Sequence, residues 1–210
     1  MNQPVPRLND PVKSTSPELA GANGSKGLEW LWHHLGRRSF HVLHCGSPLQ
    51  STVDVLARCA SRVYVGDLIS AARRSHQQRW VSSAEVPIFK TERLFSELPT
   101  IPPGSLSAVF CWQLLDLLPR QALAEVISRL YLYLEPGSVL FFLVREPQLK
   151  TGADTTWYLE TPTCFATRAL GLSPFQYPPL SNRDMERLIP AGIAKTVLRR
   201  GGFREVLAVK

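Results

Sequence analysis

The residues that could do chemistry gather around a short turn, VLHCGSPLQ (residues 42–50), and an acid that follows it. An apolar strand is predicted to enter the turn and an amphipathic helix to leave it. Gly46 is the only glycine in the turn, and glycine lets a bound molecule approach the backbone closely. Asp67 follows Gly46 by 21 residues, and a carboxylate can accept hydrogen bonds from two donors at once. A plain turn remains the alternative for Gly46, and a helix N-cap the alternative for Asp67.

Other candidate residues stand at or near the ends of predicted elements. His44 ends the first strand and is a candidate base, although a lone histidine there is more often structural. Trp112 ends a later strand and is either a pocket wall or part of the core. Asp116 is predicted to face solvent. The adjacent His33 and His34 point about 100° apart on a helix, so they make a poor metal-binding pair.

The spacing offers neither a Ser-His-Asp arrangement nor a pair of carboxylates, so the catalytic residues and the substrate stay unknown. Four cysteines occur, without a CxxC pair or zinc-finger spacing, which favours reduced thiols in a cytoplasmic protein. The net charge is 24 − 17 = +7, but no dense basic run is present. Nucleic acid is therefore a weaker candidate partner than a small molecule or a protein.

Strands and helices alternate along the chain. Helices are predicted over 27–38, 51–59, 69–79, 119–133, 182–189 and 193–200, and strands over 40–44, 62–65, 86–89, 106–112, 138–144 and 203–209. This alternation predicts an α/β, Rossmann-like, doubly wound and mostly parallel sheet with helices on both faces. In such a sheet ligands bind outside the carboxyl ends of the strands, where the turn at 42–50 lies.

The predicted organisation is one domain over 27–210 after a disordered arm at 1–26, which is rich in Pro, Ser, Asn and Gly. Residues 150–181 lose the alternation and are predicted to form a lid or a substrate-facing insertion. No apolar run approaches the roughly 18 residues that span a membrane, so no membrane partner is expected. Because the chain stops after one terminal strand, the sheet is either shortened at its C-terminal hairpin or gains a strand within 152–165.

Three segments resemble the class I S-adenosylmethionine (SAM)-dependent methyltransferases of the small-molecule type. VLHCGSPLQSTVDVLARCASRVYVGD (42–67) resembles that family's strand, glycine loop, helix, strand and acid. SLSAVFCWQLLDLLPRQALAEVISRLYLYLEPGSVLFFLV (105–144) resembles the fourth strand, the following helix and the turn into the fifth strand. LRRGGFREVLAVK (198–210) resembles the helix-to-strand ending.

The resemblance implies a SAM site in which Gly46 matches the first loop glycine and Asp67 the acid that binds the ribose hydroxyls. Pro48 and Gln50 fall on the second and third loop glycines, and His44 stands where an acid is common. A proline lacks a backbone N–H, and a glutamine places a side chain where the cofactor would lie. The expected cofactor contacts are His44, Gly46, Ser47, Asp67, Leu68 and Trp112.

Two further positions depart from the family pattern. The acid that meets the adenine is absent after the third strand, and Glu92 replaces it only with a shifted register. Ser107 stands where the fourth strand normally opens with an aspartate.

Two main hypotheses follow. The first is an active SAM-dependent methyltransferase, because methyl transfer mainly requires alignment of donor and acceptor. In that case the aromatic insertion at 157–177 would shape the acceptor pocket. The second is a non-catalytic methyltransferase-like pseudoenzyme that serves as an interaction or ligand-sensing module. A nucleic-acid-binding Rossmann-like protein is the weaker alternative.

Overall fold

The computed structural model describes residues 23–36, 39–78, 80–83, 86–149, 153–172, 177–190, 195–199 and 202–210. Most of the predicted arm, residues 1–22, lies outside this part of the chain. Its last four residues belong to the fold, because Asn23–Gly24 form a short strand and Ser25 caps the first helix.

The helices and strands follow one another in this order: β1 (Asn23–Gly24), α1 (Lys26–Leu35), β2 (His41–His44), α2 (Gln50–Cys59), β3 (Arg62–Val65), α3 (Leu68–Gln78), β4 (Trp80–Ser83), β5 (Val86–Phe89), α4 (Thr91–Phe95), β6 (Leu106–Trp112), a 3-10 helix (Leu114–Leu117), α5 (Arg120–Tyr133), β7 (Leu134–Arg145), β8 (Ala153–Thr161), β9 (Cys164–Leu172), α6 (Asn182–Leu188), β10 (Lys195–Arg199) and β11 (Phe203–Val209).

The central sheet has six strands in the order β10-β11-β7-β6-β2-β3. The strands β3, β2, β6 and β7 are parallel, β11 is antiparallel to β7, and β10 is antiparallel to β11. The predicted doubly wound, mostly parallel sheet is therefore confirmed. The order reverses at β2, since the chain passes from there first to β3 and later to β6 on the other side.

Helices cover both faces of the sheet. One face packs against α3, α4, α5 and α6, and the buried side chains of α5 (Leu123, Val126, Ile127, Leu130) have the predicted helical spacing. The other face packs against α1, α2 and the β8–β9 hairpin. Phe165 of β9 and Leu159 of β8 are completely buried there, each at a burial gain of about 1.5–3 kcal/mol.

The C-terminal hairpin corrects two predictions. Residues 195–199 form β10 rather than a helix, and they pair with β11 over five residues from Lys195 to Arg199. Thr196 and Val197 are β-branched, which favours a strand. Gly202, part of the pair of glycines that resembled a helix stop, belongs to the hairpin turn, where its φ is +81°. The expected shortening of the C-terminal hairpin is wrong, because both strands join the sheet.

The predicted strand 86–89 forms, but it does not join the central sheet. β5 pairs with β4 in a separate two-stranded sheet, so β3 is the last strand on its side among the described residues. Within the described chain, no helix is both long enough and apolar enough to span a membrane.

The segment predicted as a lid or insertion contains a long hairpin. β8 and β9 pair antiparallel, and β1 joins β9 to make a three-stranded sheet. Two hydrogen bonds attach α1 to the hairpin turn: Ser25 N–H donates to Thr163 O at 2.7 Å, and Trp32 Nε1 donates to Pro162 O at 2.7 Å.

Candidate functional site

The fold brings the ends of β2, β3 and β6 together at the carboxyl edge of the sheet. His44 ends β2, and its carbonyl accepts from Gly66 N–H at 3.0 Å. Cys45 N–H donates to Phe110 O of β6 at 2.9 Å. These pairings place the predicted site residues of the three strands at one edge.

Gly46 sits in a space closed by two aromatic rings. A side chain at Gly46 would begin 2.7 Å from His44 Cε1 and 2.7 Å from Trp112 Cδ1. The centroids of these two rings are 5.5 Å apart, and the exposed fraction of Trp112 is 2%. Glycine is needed here because the chain's own rings approach the backbone.

His44 is a buried neutral histidine. Burial lowers its pKa to about 4, against smaller opposing effects from the Ser47 carbonyl and the charge of Asp67. Its Nε2 lies 3.3 Å from Ser47 O, and because a carbonyl only accepts, Nε2 carries the proton. Nδ1 is buried without a partner. A neutral, buried histidine does not supply the negative charge that an acid at this position would supply.

Asp67 acts as the N-cap of α3. Its Oδ1 accepts from Ser70 N–H at 2.8 Å, which is the role predicted as the alternative to ribose binding. Its Oδ2 makes no hydrogen bond to a described residue. Leu68, another expected cofactor contact, is wholly buried and belongs to the hydrophobic core beneath α3.

Pro48 and Gln50 do not fill the end of the first strand. Both are exposed, and Gln50 Nε2 donates to Asp54 Oδ1 at 2.6 Å along α2. The prediction that Gln50 occupies the cofactor space is wrong. The side chains that stand beside Gly46 at the end of β2 are those of His44 and Trp112, and not that of Gln50.

The β8–β9 hairpin closes over the same place. The carboxamide of Gln113, oriented to satisfy its hydrogen bonds, donates from nitrogen to Thr155 O at 2.9 Å and accepts from Trp157 Nε1 at 3.1 Å. The Thr52 hydroxyl of α2 accepts from Leu159 N–H at 3.0 Å. Gln113 was not predicted, and its left-handed φ of +51° gives no strong signal in the sequence.

The remaining cleft is small. The space that a water molecule can enter between the β2–α2 turn and the hairpin is about 10 Å³, which is room for about one water. The cleft is lined by neutral, hydroxyl-bearing or basic residues: Gly46, Ser47, Ile69, Arg73, Trp112, Gln113, Thr155, Thr156 and Trp157.

A buried charged cluster lies at the end of β7, and we call Asp116, Arg145, Glu146 and Arg204 the arginine cluster. Asp116 Oδ2 accepts from Arg145 N–H at 2.9 Å, and Arg145 Nη2 donates to Tyr177 O at 2.5 Å. Arg204 donates to Leu180 O and lies 3.5 Å from a Glu146 oxygen. The two arginines thereby hold the backbone of residues 177–180, just before α6.

Asp116 is buried, so the prediction that it faces solvent is wrong. Its exposed fraction is 4%, and burial raises its pKa to about 6 although Arg145 and Arg204 oppose the shift. The 3-10 helix turns its side chain inward, which sequence spacing does not reveal.

Three other candidates lie away from this edge. Glu92 is exposed and pairs with Arg129 at 2.9 Å. Ser107, near the start of β6, donates to Glu135 Oε1 at 2.8 Å. His34 lies 3.1 Å from Gly137 O near the start of β7, at the opposite end of that strand from the candidate site.

The described residues contain no group of three or more His, Cys, Asp or Glu side chains that could hold a metal ion.

Comparison with known proteins supports the fold. No protein-family model and no curated protein matches the sequence. A crystal structure of 1,6-didemethyltoxoflavin-N1-methyltransferase from Burkholderia thailandensis, with 1,6-didemethyltoxoflavin and S-adenosylhomocysteine bound, covers 88% of this chain and 76% of its own, at a TM-score of 0.51 and 16% identity.

SAM-dependent methyltransferases from Methanosarcina mazei and Mesorhizobium loti each have a TM-score of 0.49 and 13% identity. They cover 85% and 87% of this chain and 95% of their own chains. The likeness to the Burkholderia thailandensis structure, together with the strand order of the sheet, shows a class I methyltransferase-like fold.

The residues at the sheet edge do not fit SAM in the described arrangement. The rings of His44 and Trp112 occupy the side of Gly46 where a side chain would stand, and the hairpin leaves a cleft with room for about one water molecule. Of the expected polar contacts, only Asp67 keeps a carboxylate oxygen without a partner among the described residues.

Proposed function

We propose that this chain is a non-catalytic protein with a methyltransferase-like fold, which acts by binding a ligand or a protein partner and not by transferring a methyl group. The observation that carries this proposal is the filled space beside Gly46. His44 and Trp112 both approach to 2.7 Å of the point where a side chain would begin. A cofactor that approached Gly46 from this side would have to displace both rings.

The hairpin supports the same conclusion, because its closure is built into the hydrophobic core. Trp112 and Phe165 stack edge to face with centroids 4.9 Å apart, and Phe165 is 1% exposed. Aromatic pairs of this kind contribute about 0.5–1.5 kcal/mol beyond the area they bury. Opening the cleft for SAM would expose this packing.

Calorimetric titration with SAM and with S-adenosylhomocysteine tests the proposal. We expect no saturable heat at millimolar ligand, and no rise in melting temperature. Saturable binding that is weakened by Asp67→Asn would contradict the proposal. Asparagine caps a helix about as well as aspartate, so this variant removes the charge without removing the cap, and Asp54→Asn on the exposed side of α2 is the matched control.

A second variant asks whether the rings themselves exclude the cofactor. Trp112→Ala removes one of the two rings beside Gly46, and under the proposal it enlarges the cleft. If the proposal holds, the wild type does not bind SAM. The Trp112→Ala variant either does not bind SAM or gains the ability to bind it. Binding in the wild type that Trp112→Ala abolishes would identify Trp112 as a cofactor contact instead.

A SAM-dependent methyltransferase is the second candidate function, and the free Oδ2 of Asp67 favours it. This oxygen lies at the carboxyl edge of β3, in the half-buried position that the family resemblance assigns to ribose binding. Under this candidate the cleft opens, SAM binds to Asp67, Gly46, Ser47 and Trp112, and a small molecule is methylated beneath the hairpin. The same titration separates the two candidates.

The location and partners are part of the proposal. A cytoplasmic location is supported by Cys45, Cys59, Cys111 and Cys164, all of which are free thiols. A small molecule or a protein is the proposed partner, and a salt-sensitive complex with DNA or RNA would instead favour the nucleic-acid alternative.

A further inference from the structure

An open groove lies between α5 and α6, on the face of the sheet away from the β8–β9 hairpin. It is lined by Arg120, Leu123, Asp184, Arg187 and Leu188. The space that a water molecule can enter in this groove is about 160 Å³. Because a cavity of about 150 Å³ can hold one benzene molecule, the groove has room for a single six-membered ring.

The inner wall of the groove is apolar. Leu123 of α5 is 1% exposed and belongs to the hydrophobic core. Leu188 of α6 is half-buried against the same core, and it lines the groove beside Leu123. Covering exposed apolar surface removes it from water, which is favourable. A ring bound in the groove would therefore be stabilised by contact with two leucine side chains.

The charges at the groove do not cancel one another. Two arginines line it but only one acid, Asp184. Both carboxylate oxygens of Asp184 have partners, since Oδ2 accepts from Ser181 N–H at 2.8 Å and Oδ1 lies 3.1 Å from Arg120 Nη1. The groove therefore keeps one positive charge in excess, which favours an anionic ligand.

Arg187 is the cation that a ligand can reach. Its side chain is exposed and makes no hydrogen bond or ion pair with a described residue. Arg120, in contrast, is bound to Asp184 and donates to Pro179 O at 3.3 Å. A guanidinium presents parallel N–H donors that match the two oxygens of a carboxylate. The chemistry at the edge of the groove is therefore suited to a carboxylate.

We propose that the groove between α5 and α6 binds a small molecule with a carboxylate on a single ring, the ring against Leu123 and Leu188 and the carboxylate on Arg187. The site goes beyond the proposed function, because it lies away from the sheet edge where His44 and Trp112 meet. It does not depend on whether the chain binds SAM.

Titration of the full-length chain with sodium benzoate tests the proposal. The readout is the methyl signal of Leu188 in a chain with ¹³C-labelled leucine, and Leu188→Met assigns that signal. We expect a saturable shift at millimolar benzoate. Benzyl alcohol has the ring without the charge and sodium acetate the charge without the ring, so at equal ionic strength each should bind more weakly than benzoate.

Two charge variants test the contact with Arg187. Arg187→Gln is expected to weaken benzoate binding about fivefold, because it removes an exposed ion pair. Arg58→Gln on α2, on the other face of the sheet, changes the net charge equally and should leave binding unchanged. Both arginines are exposed, so both variants are expected to fold.

Three results would overturn the proposal. They are the absence of a saturable shift at Leu188, a response to acetate or benzyl alcohol equal to that with benzoate, and unchanged benzoate binding in Arg187→Gln. Each would leave the non-catalytic function as it stands, since that function is tested by the SAM titration and by the Asp67 and Trp112 variants at the sheet edge.

Discussion

Two polar regions at the carboxyl edge of the same sheet are built in opposite ways. The cleft is lined mainly by aromatic rings and hydroxyls, and among the described residues Trp112 Nε1 is buried there without a partner. The arginine cluster concentrates buried charge, and its guanidinium groups bind the carbonyls of Tyr177 and Leu180. The buried charges of this edge therefore hold a chain segment in place, while the region expected to do chemistry is nearly neutral.

The largest expected effect comes from breaking the arginine cluster. Arg204→Ala leaves the Glu146 carboxylate without its cation and the Leu180 carbonyl without its donor. Removing one partner of a buried ion pair costs about 3–5 kcal/mol. We therefore expect the free energy of unfolding, measured in urea, to fall by that amount. Arg187→Ala, at an exposed arginine, should change the free energy of unfolding by no more than about 0.5 kcal/mol. Equal losses in both variants would show that the arginine cluster has no special role in stability.

The cleft should respond to acid through His44. Burial lowers its pKa from the ordinary histidine value of 6.5 to about 4 in the folded chain, so below pH 6.5 the unfolded chain binds a proton that the folded chain does not. Stability is complete above pH 6.5 and falls by about 3 kcal/mol as the pH drops through 4. The difference in unfolding free energy between wild type and His44→Phe should change by this amount, and a pH-independent difference would contradict the buried neutral state.

The arginine cluster should respond in the opposite direction through Asp116. Its pKa rises from 3.8 to about 6 on folding, so the folded chain binds the proton more tightly. The free energy of unfolding therefore decreases as the pH rises from about 4 through 6, by slightly less than the His44 effect. Asp116→Asn should remove this dependence in urea titrations, and a wild-type stability that rises faster than the variant's over this window would disprove it.

The difference between the regions also explains what the sequence could predict. Apolar periodicity located β2, β3, β6, β7, β11 and the long helix α5 because those elements bury regular faces. It did not find the β8–β9 hairpin, whose core residues Trp157 and Phe165 lie among polar and small neighbours. The strand β10 was mistaken for a helix because the glycines of a hairpin turn resemble those of a helix end.

The sequence predicted which residues meet at the carboxyl edge of the sheet but not which side chains fill it. Spacing placed His44, Gly46, Asp67 and Trp112 at one edge, as the parallel sheet requires. The side chains that fill this edge are set by long-range packing, which the sequence pattern does not report. Gln50 lies along α2, where it donates to Asp54, and the ring of Trp112 lies beside Gly46. The burial of Asp116 and Arg145 likewise arises from segments distant in the chain.

The smallest expected effect separates the two roles of Asp67. Asp67→Ala removes the acceptor of Ser70 N–H and should cost about 1 kcal/mol of stability, whereas Asp67→Asn should cost little because asparagine is an equally good N-cap. If Asp67 serves only as a cap, the two variants differ in urea unfolding, and neither differs from wild type in its response to SAM. A thermal shift with SAM in the wild type that both variants lose would show that the carboxylate is retained for a cofactor, and the cleft would then have to open to admit it.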